Sequence, residues 1–159
     1  SIGVKICKNQ KLLKGNVRAL FKTYDDLIIE NFIGGQEIQV AVLNGTALGA
    51  IELKPKRKFY DYKAKYSKSA MTNHIMPANI PKKNYEEVLN IAERTHKILG
   101  CRGVTRSDFK FINGKFFLLE INTQPGMTDL SLVPEIASYK KISFDKLVLK
   151  LIMDASINK

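Results

Sequence analysis

The chain has 159 residues, 45% of them hydrophobic and 26% charged. That size and balance suit one folded domain with a real core and exclude a disordered tail or a fibre. Lys and Arg outnumber Asp and Glu by 26 to 15, for a net charge of +11, a surplus that attracts nucleic acid or a small polyanion such as a nucleotide. Most of the lysines are scattered, as solvated surface charge is. Lys54, Lys56, Arg57 and Lys58 do cluster, but no helix-turn-helix, zinc finger or stacking platform accompanies them, so nucleic acid is not the expected partner. No apolar run approaches the roughly 18 residues of a membrane helix, and nothing at the start resembles a signal peptide. Two cysteines, Cys7 and Cys101, are too few for a disulfide scaffold or a cysteine zinc site, which points to a reducing, cytoplasmic setting. The chain starts at Ser1 without a Met, and Ser1-Ile2-Gly3-Val4 reads as the middle of a loop, so a piece of a longer protein is expected.

Residues 1–26 are basic and weakly patterned. Leu27–Ile33 is a strand candidate closed by Gly34-Gly35. Two alternating runs follow, Gln36–Leu43 and Thr46–Leu53, joined by Asn44-Gly45, a strong two-residue hairpin signal. Counted from that turn, Leu43 faces Thr46 and Glu37 faces Glu52. One face then carries Ile38, Val40, Val42, Ala47, Ile51 and Leu53. The other carries Glu37, Gln39 and Glu52. It is either a wet face with two like charges opposed, or a surface that holds sugar hydroxyls or a cation.

Residues 54–81 break the periodicity, with Pro at 55, 77 and 81, and read as a lid or Ω-type loop. At its centre, Phe59-Tyr60-Asp61-Tyr62-Lys63-Ala64-Lys65-Tyr66 carries more aromatic area than a purely solvated insert needs. A helix should open at Asn84, with Glu87 completing an approximate capping box. Val88, Ile91, Ala92, Thr95 and Leu99 fall on one of its faces, and Gly100 ends it. His96 on this helix reads as structural, and His74 has no ligand-like spacing.

Val104–Ile112 and Phe116–Asn122 form a second hairpin around Asn113-Gly114. A two-residue turn would mix Arg106, Asp108 and Lys110 with Phe117, Leu119 and Ile121. A three-residue loop, Ile112-Asn113-Gly114, sorts Phe109, Phe111, Phe117, Leu119 and Ile121 onto one face and Arg106, Asp108, Lys110, Glu120 and Asn122 onto the other, so the odd-length loop is predicted. A helix is expected from near Ser131, with Pro134 in its first turn, and another from Phe144, capped by Ser143.

On the sorted face Asp108 and Glu120 lie opposite or diagonal on neighbouring strands, with Asn122 two residues beyond. Two carboxylates and an amide oxygen suit Mg²⁺, which fills the rest of its shell with water and substrate phosphates. A metal here therefore implies a nucleotide. The competing reading is an exposed polar face with an Arg106–Glu120 ion pair. Gly126, just ahead of a helix start, and the Ser131 hydroxyl together suit a bound carboxylate or phosphate.

Three stretches carry a resemblance: Phe59-Tyr60-Asp61-Tyr62-Lys63-Ala64-Lys65-Tyr66; Leu99-Gly100-Cys101-Arg102-Gly103-Val104-Thr105-Arg106-Ser107-Asp108; and above all Leu118-Leu119-Glu120-Ile121-Asn122-Thr123-Gln124-Pro125-Gly126-Met127-Thr128, continued by Ser131-Leu132-Val133-Pro134. In this order the chain resembles the D-alanine–D-alanine ligases of the ATP-grasp family over nearly its whole length. The resemblance implies an α+β fold over residues 1–159, the ATP-grasp C-terminal domain, in which an antiparallel sheet has helices packed on one face and a long mobile loop. The N-terminal half, which binds the first D-alanine, would be absent. Asp108, Glu120 and Asn122 resemble the ligands of Mg²⁺ (or Mn²⁺). Lys65 resembles the loop lysine over the γ-phosphate. Tyr66 resembles the tyrosine that bonds to a serine and closes the site, with Ser1 near that serine. Glu30, Asn31, Phe32 and Ile33 resemble the adenine-holding segment, and Glu37 the residue that holds the ribose. Arg106 and the Gly126 N–H resemble the oxyanion stabilisers, and Ser131, Leu132 and Gly126 the grip on the second D-alanine.

The implied reaction phosphorylates one D-alanine with ATP and lets the amine of a second attack the acyl phosphate, a step in peptidoglycan precursor synthesis. The chain is expected to be inactive alone, and the resemblance also admits a homodimer. The pattern departs from the family at Asn31, where the family has lysine, and at Asp129-Leu130, where it has a small residue and histidine. The alternatives are another ATP-grasp ligase joining a carboxylate to a different amine, or a non-catalytic basic binding module.

Overall fold

A computed structural model describes residues 2–55, 72–128 and 130–156. Ser1, the aromatic stretch containing Lys65 and Tyr66, the basic residues 56–58 and Asp129 lie outside the described residues. In chain order the elements are α1 (Gln10–Leu20), β1 (Gln36–Leu43), β2 (Thr46–Pro55), β3 (Thr72–Ile75), α2 (Lys82–Ile98), β4 (Val104–Ile112), β5 (Lys115–Asn122), α3 (Leu132–Tyr139) and α4 (Phe144–Asp154). The five strands form one antiparallel sheet in the order β3-β2-β1-β4-β5.

The first hairpin leaves Asn44-Gly45 as expected, with Leu43 opposite Thr46 and Val42 opposite Ala47. Ala41 then faces Gly49 and Ile38 faces Glu52, so Leu48 is an extra residue in β2. Such a bulge shifts every later side chain to the other face. Ile51 and Leu53 therefore join Ala41 and Leu43, and the expected Glu37–Glu52 opposition does not exist, because Glu37 pairs with Leu53. Glu52 is buried on the opposite face, where its carboxylate accepts from the Asn79 N–H at 3.3 Å.

Strand β1 is buried from Ile38 to Leu43, so it needs cover on both sides. Its Ile38, Val40 and Val42 pack with Phe109, Phe111 and the α2 residues Val88 and Ala92. Its Ala41 and Leu43 pack with Ile51, Leu53, the α3 residues Val133, Ile136 and Ala137, and Leu147 of α4. The helices thus lie on both faces of the antiparallel sheet, not on one. The reason is that a central strand with apolar residues at both parities leaves no face to water.

The second hairpin has a two-residue turn, with Ile112 opposite Lys115 and both Asn113 and Gly114 at positive φ, 51° and 74°. This is the geometry that suits the twist of a tight hairpin, and it overturns the three-residue loop. The separation of charge from apolar surface is achieved further along the strand. Phe109 faces Leu118 and Asp108 faces Glu120, leaving Leu119 as a bulge. Before the bulge, Phe116 and Leu118 share the face of Phe109 and Phe111, while Phe117 stands opposite Lys110. After it, Ile121 is opposite Ser107. Phe116 stacks on Phe111 with ring centroids 4.5 Å apart.

Leu27–Ile33 is not a strand: it joins no ladder among the described residues, and Ile28, Ile29 and Phe32 are exposed. Gly35 (φ 93°), just before β1, lies so close to Phe111 that a Cβ would collide with its backbone carbonyl, which reserves the position for glycine. Helix α1 was not legible in the basic N-terminal stretch. Asn9 caps it by accepting from Leu12 N at 2.9 Å, and none of its residues is buried. Helix α2 begins before the expected cap. Pro81 holds the N-cap position, and Asn84 lies inside the first turn, donating from Nδ2 to Glu87 Oε2 at 3.2 Å. Leu99 is exposed, and the inward-facing residues are Val88, Ala92 and His96. Helices α3 and α4 start as predicted, after Ser131 and Ser143.

Phe109 is fully buried between α2 and the sheet. Phe109→Ala should lower the unfolding free energy by about 3–5 kcal/mol, read from urea denaturation; a loss below about 1 kcal/mol would mean that this cluster is not the core.

Candidate active site

On the α3 face the helices cover β2 and the Ala41–Leu43 end of β1, with Ile51 and Leu53 packed beneath them. Beyond that cover, toward β4 and β5, this face is polar. Pairing aligns its residues in rows across three strands: Gln39, Asp108 and Glu120 in one, Ala41, Arg106 and Asn122 in the next, and Glu37, Lys110 and Phe117 beyond. Asp108 and Glu120 are thus directly opposed, and Asn122 sits one row away on the same side, as the sequence predicts. The Leu119 bulge is what brings Glu120 to this face.

Among the described residues the ion pair of Arg106 is with Asp108, not with Glu120 as one sequence reading has it. Its Nε and Nη2 donate to the two Asp108 carboxylate oxygens at 2.7 and 3.0 Å, a bidentate fork. Lys110 Nζ donates to Glu37 Oε2 at 3.0 Å, and Gln39 Nε2 donates to Glu37 Oε1 at 3.5 Å. Both carboxylates sit largely out of water, where a charge is tolerated only when partnered. Glu120 is exposed, and the Asn122 Oδ1 accepts from Gln124 N at 3.0 Å.

The donor set fits a hard divalent cation. Among the described residues no three His, Cys, Asp or Glu side chains gather as a metal site, so any ion here would rest on two carboxylates and amide oxygen, the sparse protein shell that Mg²⁺ accepts. The Arg106 fork does not exhaust Asp108, since a carboxylate offers about four lone-pair positions. Next to Asp108, the buried Gln39 Oε1 accepts from no donor among the described residues. A buried oxygen left in this way, beside two carboxylates, is suited to a cation or its bound water.

From Asn122 the chain turns through Pro125 and Gly126 to α3. Ser131 does not cap α3 with its side chain. Its Oγ instead lies 3.0 Å from Thr128 N and 2.9 Å from Thr128 Oγ1. A Cβ on Gly126 would come within 2.8 Å of the same Oγ, so this approach needs glycine. Gly126, Thr128 and Ser131 are therefore gathered at the start of α3. Leu132 is different: its side chain belongs to the core, so it can offer a ligand only its backbone N–H, one of the unbonded donors of a first helical turn. Glu30, Asn31 and Phe32 are exposed and Ile33 half-buried in the extended segment before β1.

The two histidines take the parts that spacing left open. His96 is buried with Nδ1 2.9 Å from Thr105 Oγ1, and burial holds its pKa below the usual 6.5. His74 on β3 lies 2.6 Å from Glu135 Oε2 on α3, and that hydrogen bond raises its pKa above 6.5. The sequence carried no sign of this contact, since the partners are far apart in the chain.

Sheet and covering helices together are those of an ATP-grasp C-terminal domain. The family model described as "D-ala D-ala ligase C-terminus" matches residues 1–153. The D-alanine–D-alanine ligase of Pelagibacter ubique (strain HTCC1062) is 59% identical over 159 residues, covering 100% of this chain and 52% of that protein. The D-alanine–D-alanine ligase of Citrifermentans bemidjiense is 47% identical over 158 residues, covering 99% of this chain and 52% of that one. A crystal structure of D-alanine–D-alanine ligase from Bacillus anthracis complexed with ATP is similar at a TM-score of 0.80 and 30% identity, covering 96% of this chain and 50% of that one. The chain belongs to the D-alanine–D-alanine ligase family, as a counterpart of its C-terminal part, and spans about half the length of the curated relatives it matches.

In an NMR titration His74 should titrate above 6.5 and His96 below it. Because the folded pKa of His74 is raised, its contribution to stability is fully present below the unfolded value of about 6.5 and is lost as pH rises through the folded value. Glu135→Gln should lower the His74 midpoint; an unchanged midpoint would show that the pair does not form in solution.

Proposed function

We propose that this chain supplies the ATP- and metal-binding half of an enzyme that joins two D-alanines through an acyl phosphate, for peptidoglycan precursor synthesis. The observation that carries the reading is the direct opposition of Asp108 and Glu120 beside Asn122 and Arg106, in a chain whose residues 1–153 match the D-alanine–D-alanine ligase C-terminus. Asp108, Glu120 and Asn122 would hold Mg²⁺, or Mn²⁺ in its place. When bound, the ion supplies electrostatic stabilisation of phosphate charge.

The chain's own residues do the rest. Arg106, oriented by Asp108, supplies positive charge to the oxygen on which charge develops, and the Gly126 N–H adds a donor. Glu37, held by Lys110 and Gln39, offers its carboxylate to ribose hydroxyls, and the segment Glu30 to Ile33 offers backbone groups to adenine. The Ser131 hydroxyl and the Leu132 N–H, at the positive end of α3, hold the carboxylate of the second D-alanine. Lys65, Tyr66 and Ser1 keep the roles that the family likeness assigns them. The surplus of positive charge favours capture of an anionic nucleotide. Free thiols at Cys7 and Cys101 accord with work in the reducing cytoplasm, and among the described residues no helix is long and apolar enough to cross a membrane.

Asp108→Asn and Glu120→Gln should each weaken Mg·ATP binding by about tenfold or more, since even changes in the groups that support metal ligands cost about 10–100-fold. With ATP, Mg²⁺ and D-alanine the chain alone should release no phosphate. Joined to the N-terminal half of the Pelagibacter ubique relative, it should form D-alanyl-D-alanine. Turnover by the chain alone, or Mg·ATP affinity indifferent to both substitutions, would refute the proposal.

A further inference from the structure

The Ser131 hydroxyl is aimed by more than its own loop. Helix α3 has eight residues, and Glu135 is its one charged side chain. The Glu135 N–H donates to Ser131 O at 3.3 Å, closing the first helical turn, while its carboxylate meets His74 Nδ1 at 2.6 Å. His74 stands opposite Leu53 on the face that α3 covers, and Leu53 packs in the same cluster as Val133 and Ile136. Glu52 and Lys54 flank Leu53 on β2 and alternate to the other face, so Glu135 is the charged group that meets the imidazole from α3 and β2. A continuous set of contacts therefore runs from β3 through Glu135 to Ser131, and from Ser131 Oγ to Thr128 and Gly126.

We infer that His74 and Glu135 are positioning residues, which set the orientation of the first turn of α3 and so hold the Ser131 hydroxyl and Leu132 N–H on the acceptor's carboxylate. This rests on the function proposed above, and both residues act through α3. Hydrophobic contacts fix how deeply α3 sits but leave rotation about its axis weakly determined, because apolar packing is non-directional. A short charged hydrogen bond is directional and fixes that rotation. Small displacements of groups that orient a substrate have large kinetic consequences.

The test has two arms. In the chain itself, His74→Ala should shift the backbone amide signals of Thr128, Ser131 and Leu132 in NMR spectra, and Glu135→Gln should do the same to a lesser degree. His74→Asn, whose amide nitrogen can replace Nδ1, should restore them. In the joined enzyme, His74→Ala should raise KM for the second D-alanine about 3- to 10-fold while KM for ATP stays within twofold, and His74→Asn should recover most of the loss. Unmoved Thr128, Ser131 and Leu132 signals overturn the inference, as does a KM for ATP that rises in step with that for the acceptor. If the unsubstituted joined enzyme makes no dipeptide, the functional reading falls separately, and the amide shifts still decide whether His74 positions this turn.

Discussion

Pleat parity governs this molecule. Side chains of a strand alternate strictly between faces, so one extra residue decides what stands beside what. Leu48 adds such a residue to β2, and Leu119 adds one to β5. Without the Leu119 bulge, Glu120 would follow the parity set by the Asn113-Gly114 turn onto the apolar face of Phe109. With it, Glu120 stands opposite Asp108. The Leu48 bulge sends Ile51 and Leu53 to α3, which allows that helix to sit on the same side of the sheet as the acidic cluster. Bulges are concentrated where a side chain must be re-aimed, and both here serve the same face.

The acidic face is also a balanced one. Asp108 carries its own guanidinium, and Glu37 carries the Lys110 ammonium. Burying such carboxylates unpaired would be costly, and paired they remain available through their second lone pairs. A face built of ion pairs suits a ligand that brings both signs of charge, as a nucleotide with its cation does. A pure anion or a pure cation would leave one set of partners uncompensated. The net charge of +11 then acts at longer range, where screening by salt limits it to about 10 Å.

Much of the candidate site was readable because it is local. Asp108, Glu120 and Asn122 share one face as the spacing suggests, and Gly126 meets Ser131 within a few residues of chain. Failures came where local rules competed. A three-residue loop keeps charge away from phenylalanines. That requirement was real, but a bulge answered it while the favourable two-residue turn was kept. Leu27–Ile33 has strand composition, yet composition cannot supply a neighbouring strand, and none pairs with it among the described residues. Asn84 looked like a cap because Glu87 follows it, but Pro81 opens the helix earlier. Alternation along β1 suggests one covered face, but Ala41 and Leu43 make its other parity apolar too, and that face is covered as well.

What could be known from residues alone was whatever depends on neighbours in the chain: the Asn44-Gly45 turn, the starts of α3 and α4, the apolar runs, and the long motif from Leu118 to Pro134 that carries the family. Chain-local chemistry supplies those constraints directly. The pairing of His74 with Glu135, the choice of face for Glu52 and Ile51, and the fork of Arg106 on Asp108 rather than Glu120 had to await three-dimensional packing. Each of these compares the energies of contacts distant in sequence, and a difference of one residue in register reverses the answer.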